Sequence, residues 1–221
     1  MAHFFNAQST ASLLPRRFEE SDLDAELLSA GIDPQSFQVP NFDVQFRPQV
    51  QIQNTPDTAI VKGMFFENLA RAARRFNVRC EPRYTAFRDY PMRDYMELIV
   101  RYAEARYPHV TLREAVRRVG WEAFPTLAES IAGRVMFAVA GRDLRAAINI
   151  TPAAYRHSIS GTVTIRHISE HQAVQEFRSI WNFPDCYQVG VMEGGCKVYE
   201  RNHSVSLRVL SECDVDLLIR W

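Results

Sequence analysis

Few residues in this chain stand at spacings that chemistry requires. Two carboxylate pairs, Glu19–Glu20 and Asp214–Asp216, have the makings of a general acid and base. Both fall in polar runs, and exposed surface charge is the reading that those runs favour. His167 and His171 flank a short turn, but zinc needs further ligands nearby and none stands at zinc spacing. Ser158, Ser160 and the histidines follow no triad order. The run GVMEGG, from Gly190 to Gly195, matches neither the dinucleotide fingerprint nor the phosphate loop, and close packing of a helix accounts better for its glycines. Arginine and tyrosine interleave from Arg71 to Arg106, a composition suited to nucleic acid. The helical period there puts the tyrosines largely on the buried side, so nucleic acid is not an expected partner. Cys80, Cys186, Cys196 and Cys213 form no CxxC. On one helix Cys186 and Cys196 would lie roughly 15 Å apart, too far to bridge. They are expected to be reduced, mostly buried thiols of a cytoplasmic protein. No catalytic residue, metal site or cofactor is assigned, and a non-catalytic role is expected.

Composition bounds the architecture. The chain has 221 residues, 47% of them hydrophobic, enough for a substantial core. Its net charge is zero, so no global attraction to polyanions follows. The charge is uneven: net −5 over residues 1–58, +7 over 59–161 and −2 over 162–221. Contact between the acidic first segment and the basic middle explains this, and a basic docking surface is the sharper alternative. All but two of the basic residues, Lys62 and Lys197, are arginine, which a GC-rich genome also produces. No apolar run approaches the roughly 18 residues that span a membrane. The first residues lack the order of a signal peptide.

The longest apolar-periodic stretch runs from Val119 to Asp143 and is expected to be the central helix. Phe124, Leu127, Ile131, Val135 and Val139 step along one face, and Ala128, Ala132 and Gly133 keep its surface low for another backbone or a ligand. Pro125 marks its start or a bend, and Gly141 its end. Before it come a short helix from Ser21 to Ile32, an extended arm over 37–53, a turn at 54–57, a helix from 57 or 58 to 76, and a helix opening at Pro91. A Thr111–Glu114 capping box then opens a helix that Gly120 ends or bends. A short helix follows from Asp143 to Asn149, then a loop or last helical turn over 151–161. After residue 161 the period changes to strands at 162–169 and 171–181, a helix at 185–200 and two final strands. The fold class expected is α+β, a helical block packed on a C-terminal antiparallel sheet in the order β-β-α-β-β. Residues 1–56 are an extension, and 57–221 a single domain with its helical block at 57–161 and its sheet portion at 162–221.

Several short motifs carry a resemblance. They are Tyr90–Pro91; Tyr107, Pro108, Glu114, Ala115 and Gly120; Ser130, Gly133 and Arg134; Gly141, Arg142 and Asp143; Tyr187, Gly190, Glu193 and Gly194; and a terminal tryptophan, Trp221. In this order and spacing they resemble a large paralogous family of myxobacterial proteins, a domain of unknown function. The resemblance covers Tyr84 to Trp221, and extends back to Lys62–Gly63 if these are the family's opening pair. It brings no activity and no catalytic residue. The order of elements is also similar to a wider group: haem-based nitric-oxide sensors, four-vinyl-reductase-type sensors and vesicle-tethering subunits. That similarity implies ligand sensing in a hydrophobic pocket, or dimerisation, rather than catalysis. The tyrosine–serine–arginine string of the haem sensors has no match here, and His109 and His157 are the only histidines of the helical block.

Two functions are therefore expected. The first is a sensory or regulatory module that binds a small hydrophobic or anionic ligand between the central helix and the sheet. Its candidate residues are Ser130, Gly133, Arg134, Trp181 and Tyr187. The second is an interaction module that dimerises or docks a protein partner through its N-terminal arm. Arg134 is singled out because an arginine on a tightly packed helix requires a partner, an internal carboxylate or an anionic ligand.

Overall fold

The computed structural model describes residues 20–221 apart from residues 130 and 139. The first helix, α1, is described over Glu20–Ser29 and turns Leu27 inward. Gly31 follows at φ +70°, the left-handed position that stops a helix. A 3₁₀ turn, Pro34–Ser36, is capped by the Asp33 carboxylate, and Gln38 then bridges to Leu207. The extended arm expected over 37–53 ends in a helix instead, α2 (Pro48–Asn54). Proline at the first helical position presets φ. Gln51 and Ile52 face inward while Val50 stays 49% exposed.

The helix expected from residue 57 or 58 begins later. Ile60–Lys62 is a strand, β1, and helix α3 runs over Gly63–Arg74. β1 pairs with β2 (Asp89–Pro91) and also bonds to a distant loop, Lys62 N–H donating to Ser158 O at 2.8 Å. Those partners lie too far along the chain for local periodicity to reveal them. Next come α4 (Met92–Arg106) and α5 (Leu112–Glu129). Half of the capping box forms: the Thr111 hydroxyl accepts from the Glu114 N–H at 3.3 Å, while the Glu114 carboxylate pairs with Arg117 and Arg118. Gly120 does not end α5, which continues through Pro125. A separate short helix, α6 (Ile131–Phe137), and then α7 (Leu144–Arg156) follow. The helix expected to stop at Asn149 thus runs on through Pro152, because Thr151 and Ala154 remain buried against the core. The expectations for Ser130 and Val139, and for the side chains of Leu127, Ile131 and Ala132, lie outside the described residues.

The C-terminal part matches the expected order: β3 (Thr162–Ile168), β4 (Gln172–Arg178), α8 (Tyr187–Val198), β5 (Ser204–Val209) and β6 (Val215–Arg220). The strands form one antiparallel sheet in the order β3-β4-β6-β5. Phe177, Leu217 and Ile219 pack beneath Val189, Met192 and Cys196 of α8. Burying each large apolar side chain contributes about 1.5–3 kcal/mol. On the other sheet face Leu27, Ile32 and Phe37 cover Val174 and Leu218, so residues 20–37 pack on the chain's own sheet. Asp216, expected on the surface, is fully buried there. Arg178 reaches it at 2.7 Å and the Arg208 Nε at 2.9 Å, which offsets its desolvation. Among the described residues no helix is long and apolar enough to cross a membrane.

The helix that organises the packing is α5, not the stretch after Pro125; Val135 on α6 is 72% exposed. α5 meets α8 backbone to backbone. A Cβ on Gly190 would lie 1.9 Å from the Arg117 carbonyl oxygen, one on Gly194 2.3 Å from that of Trp121, and one on Gly120 2.1 Å from that of Tyr187. Ion pairs flank this seam: Arg117 Nε with Glu193 at 2.8 Å, and Arg113 with Asp185.

Candidate functional site

Beside the seam lies a cavity of about 70 Å³. Its apolar wall includes Phe65 of α3, Phe124 of α5, Phe137 of α6 and Met192 of α8. Its polar wall is formed by Tyr95, Tyr155, Tyr187, Asn182, Gln188 and Ser158. Tyr95, Tyr155, Tyr187 and Gln188 arrive on helices, and Ser158 and Asn182 stand in the segments after α7 and before α8. Tyr155 follows Thr151 by four residues on the buried face of α7, and both reach the cavity. Tyr187 and Gln188 open α8, where the Gly120 contact brings its backbone against α5. Among the described residues no strand residue lines the space, and α8 spans from its wall to the inner face of the sheet.

The polar groups are largely matched to one another. The Tyr155 hydroxyl donates to the Gln188 carbonyl oxygen, and the Gln188 amide donates to Asn182 Oδ1 at 2.8 Å. The Tyr95 and Tyr187 hydroxyls stand 2.9 Å apart. Only one of the two can donate to the other, so among the described residues one hydroxyl hydrogen is left for another acceptor. Burial pushes the Tyr187 hydroxyl up to about 12, and the Tyr95 and Tyr155 hydroxyls well above their ordinary range. All three are neutral phenols at physiological pH, suited to hold a dipole and unsuited to act as bases. The buried Cys186 and Cys196 thiols are pushed up by the same cause, Cys196 to about 12, and stay unreactive. Among the described residues no group of His, Cys, Asp and Glu could hold a metal ion.

A second, open groove of about 480 Å³ lies between α6 and the C-terminal end of α8. Arg134, Arg142, Tyr199 and Glu200 line it, together with Phe137, whose ring also walls the inner cavity.

The five candidate residues separate accordingly. Tyr187 lines the inner cavity, and Arg134 the outer groove. Arg134 is exposed, so its charge does not require an internal carboxylate as partner. Gly133 is buried in α6, and Ser130 lies outside the described residues. Trp181 is half-buried against the helical core, and its carbonyl oxygen accepts from the Gln51 amide at 3.1 Å. Sequence reasoning placed Tyr95 in the core and passed over Tyr155, Asn182 and Gln188. For Tyr155 and Gln188 the signal was a polar tip on an otherwise apolar helical face; Asn182 lies in the loop before α8 and gave none.

Solved structures share the fold. The Fe(II) unliganded H-NOX protein from K. algicida superposes with a TM-score of 0.53 at 12% identity, over 72% of this chain and 96% of that one. An H-NOX structure described for its activation mechanism gives 0.50 at 15% identity, over 72% and 92%. An oxygen-binding H-NOX domain related to soluble guanylate cyclases, in its oxygen complex, gives 0.50 at 14%, over 72% and 91%. At these identities the likeness is one of fold. No functionally curated protein matches the chain. One family profile does, "Protein of unknown function (DUF2378)", over residues 55–221, which includes every residue of the cavity and the groove, and the chain belongs to that family.

Proposed function

We propose that this domain is a sensory module that binds a small, mostly apolar molecule in the cavity between α5, α7 and α8. The observation that carries the reading is the cavity itself: an apolar pocket fitted with converging neutral hydroxyl and amide groups, one of which has a hydrogen to spare. The fold supports it, since the similar solved structures include an oxygen-binding domain and an Fe(II) protein. Residues 57–221 are the sensing domain in this reading, and residues 20–56 an extension that covers its sheet.

Haem, the cofactor such a fold brings to mind, does not fit. Ligand pockets of that order occupy roughly 300–1,000 Å³, against about 70 Å³ here. Among the described residues no histidine or cysteine lines the cavity, and His157 and His109 are exposed. The tyrosines that line it are held protonated by burial, which opposes phenolate ligation.

A panel of small alcohols, ketones and amides, screened by melting temperature, tests the proposal. A ligand at a hundred times its Kd adds about 2.7 kcal/mol, a rise of roughly 5–10 °C for a domain of this size. Ala154→Leu, which fills the cavity, should abolish the rise and leave the protein folded. No saturable shift, or the same shift in Ala154→Leu, would overturn the reading.

A second reading is docking of a protein partner through the N-terminal arm. Val39, Val44 and Val209 favour it, exposed around one groove where the arm crosses the edge strand β5. A mass that rises with protein concentration and reverts in Val39→Ser/Val209→Ser would support it; a constant monomer mass at all concentrations would count against self-association.

A further inference from the structure

The cavity and the outer groove share one lining side chain among the described residues. Phe137 walls both, and its ring packs on Phe124 with centroids 5.2 Å apart. It ends α6, a helix of seven residues, and is itself only half-buried.

The inner space is apolar and the outer one is charged. Arg134 stands one helical turn before Phe137, on the same side of α6, and Arg142 follows in the turn before α7. Both line the groove and both are exposed. Among the described residues neither arginine is paired with a carboxylate. Glu200 is the acidic residue of the groove, so the three side chains leave it one positive charge. A guanidinium is the side chain best shaped for a carboxylate or phosphate, because its parallel N–H groups match two oxygens.

We propose that groove and cavity form a single path for an amphipathic anion: a small molecule with an apolar chain or ring and one acidic headgroup. The apolar end passes Phe137 and lies among Phe65, Phe124 and Tyr155. The headgroup stays in the groove between Arg134 and Arg142, where water still solvates it and its desolvation is small. Burying the headgroup instead would place a charge among groups that offer no cation, which is the costlier arrangement. The spare hydroxyl hydrogen of the Tyr95–Tyr187 pair then meets a water or a second polar atom at the far end. The proposal rests on the cavity being a ligand site, and it adds the headgroup, the class of ligand and the route of entry.

The test uses the full chain with three probes: octanoate, octanol and inorganic phosphate, followed by calorimetry at pH 7.5. Octanoate should bind about tenfold tighter than octanol, equivalent to about 1.4 kcal/mol. Added salt should erode that preference. Arg134→Gln/Arg142→Gln should bring octanoate down to octanol and leave octanol unchanged. Glu200→Gln should tighten octanoate alone, by roughly two- to fivefold, as expected for removal of a screened like charge. Equal binding of octanoate and octanol, both lost in Ala154→Leu, would overturn the headgroup and leave the cavity reading standing. Binding of neither probe would overturn both. Phosphate binding as tightly as octanoate, and surviving in Ala154→Leu, would mean an anion site unconnected to the cavity, and the single path would fall.

Discussion

Helices α5 and α6 are neighbours along the chain, yet the seam that α5 makes with α8 and the lip made by α6 are packed in opposite ways. At the seam three glycines let two backbones touch, and ion pairs close the flanks. At the lip Val135 is 72% exposed, Phe137 is half-buried, and spaces open on both sides of one ring. A seam of that density has no second arrangement within reach, because separating the helices would expose both backbones at once. The lip has alternatives at small cost. Elements that respond to ligands are drawn from the least stable parts of a fold. In the proposed module, the α5–α8 seam would keep Tyr187 and Gln188 in place while α6 yields.

The largest effect is expected at the seam. Gly190→Ala sets a Cβ against the Arg117 carbonyl oxygen, a backbone atom that cannot swing aside. Overpacking of this kind costs about 3 kcal/mol or more, seen as a collapse of the urea midpoint or loss of folded protein. Gly141→Ala is the matching change beside the lip. No atom lies within 4 Å of its added Cβ, and only its φ of +56° resists the change. That costs about 1–2 kcal/mol. Equal costs at the two glycines would break the comparison.

Alkali should act on the polar wall next. Unfolded tyrosine loses its proton near pH 10, and folded Tyr187 near 12, with Tyr95 also raised by burial. Between those values the unfolded chain binds fewer protons, so stability falls as pH rises. The stabilisation is complete below about pH 10 and is lost through about pH 12, roughly 2–3 kcal/mol from Tyr187 alone. Urea titrations at pH 9, 10 and 11, with phenolate absorbance followed in parallel, measure it. Phenolate appearing near pH 10 without unfolding would mean that water reaches the pair.

The seam was partly legible in sequence, and the lip was not. The glycines of α8 announced a close neighbour, and the capping box at Thr111 marked where α5 begins. Which helix that neighbour is was not legible: Gly120 read as an end or a bend because a mid-helix glycine is costly, and only the approach of Tyr187 explains it. Val119 to Asp143 looked like one buried helix because its apolar spacing continues past Glu129, although the helix does not. β1 and the buried Asp216 depend on partners far along the chain, Ser158 for one and Arg178 and Arg208 for the other. Local pattern carries no record of such partners. The polar wall was hidden for the same reason, since Tyr95, Tyr155 and Gln188 each pass as ordinary residues of three separate helices.

Tyr155→Phe removes the hydroxyl that donates to Gln188 and leaves its amide oxygen short of a partner. The cost should be about 1–2 kcal/mol. Gln188→Leu in the same background should restore part of it, because it removes the stranded acceptor. A cost near zero for Tyr155→Phe, with no recovery in the double variant, would mean that water already satisfies Gln188 and that the wall is wetter than its hydrogen bonds suggest.

The smallest effect on stability and the largest on access should come from Phe137→Ala. A buried phenylalanine truncated in a dense core costs about 3–5 kcal/mol. Phe137 is half-buried at the end of a short helix, with the groove on its outer side, so about 1 kcal/mol is expected, a fall of roughly 2–4 °C in melting temperature. Its removal joins cavity and groove permanently. Octanoate should then enter and leave at least tenfold faster by stopped-flow, with Kd changed less than either rate, because the pocket loses a door rather than a floor. A variant that loses as much stability as Gly190→Ala would place Phe137 with the seam, and α6 would be part of the rigid frame. A variant with unchanged rates would show that ligand does not pass this ring, and entry would have to be sought along Phe65 on the opposite wall of the cavity.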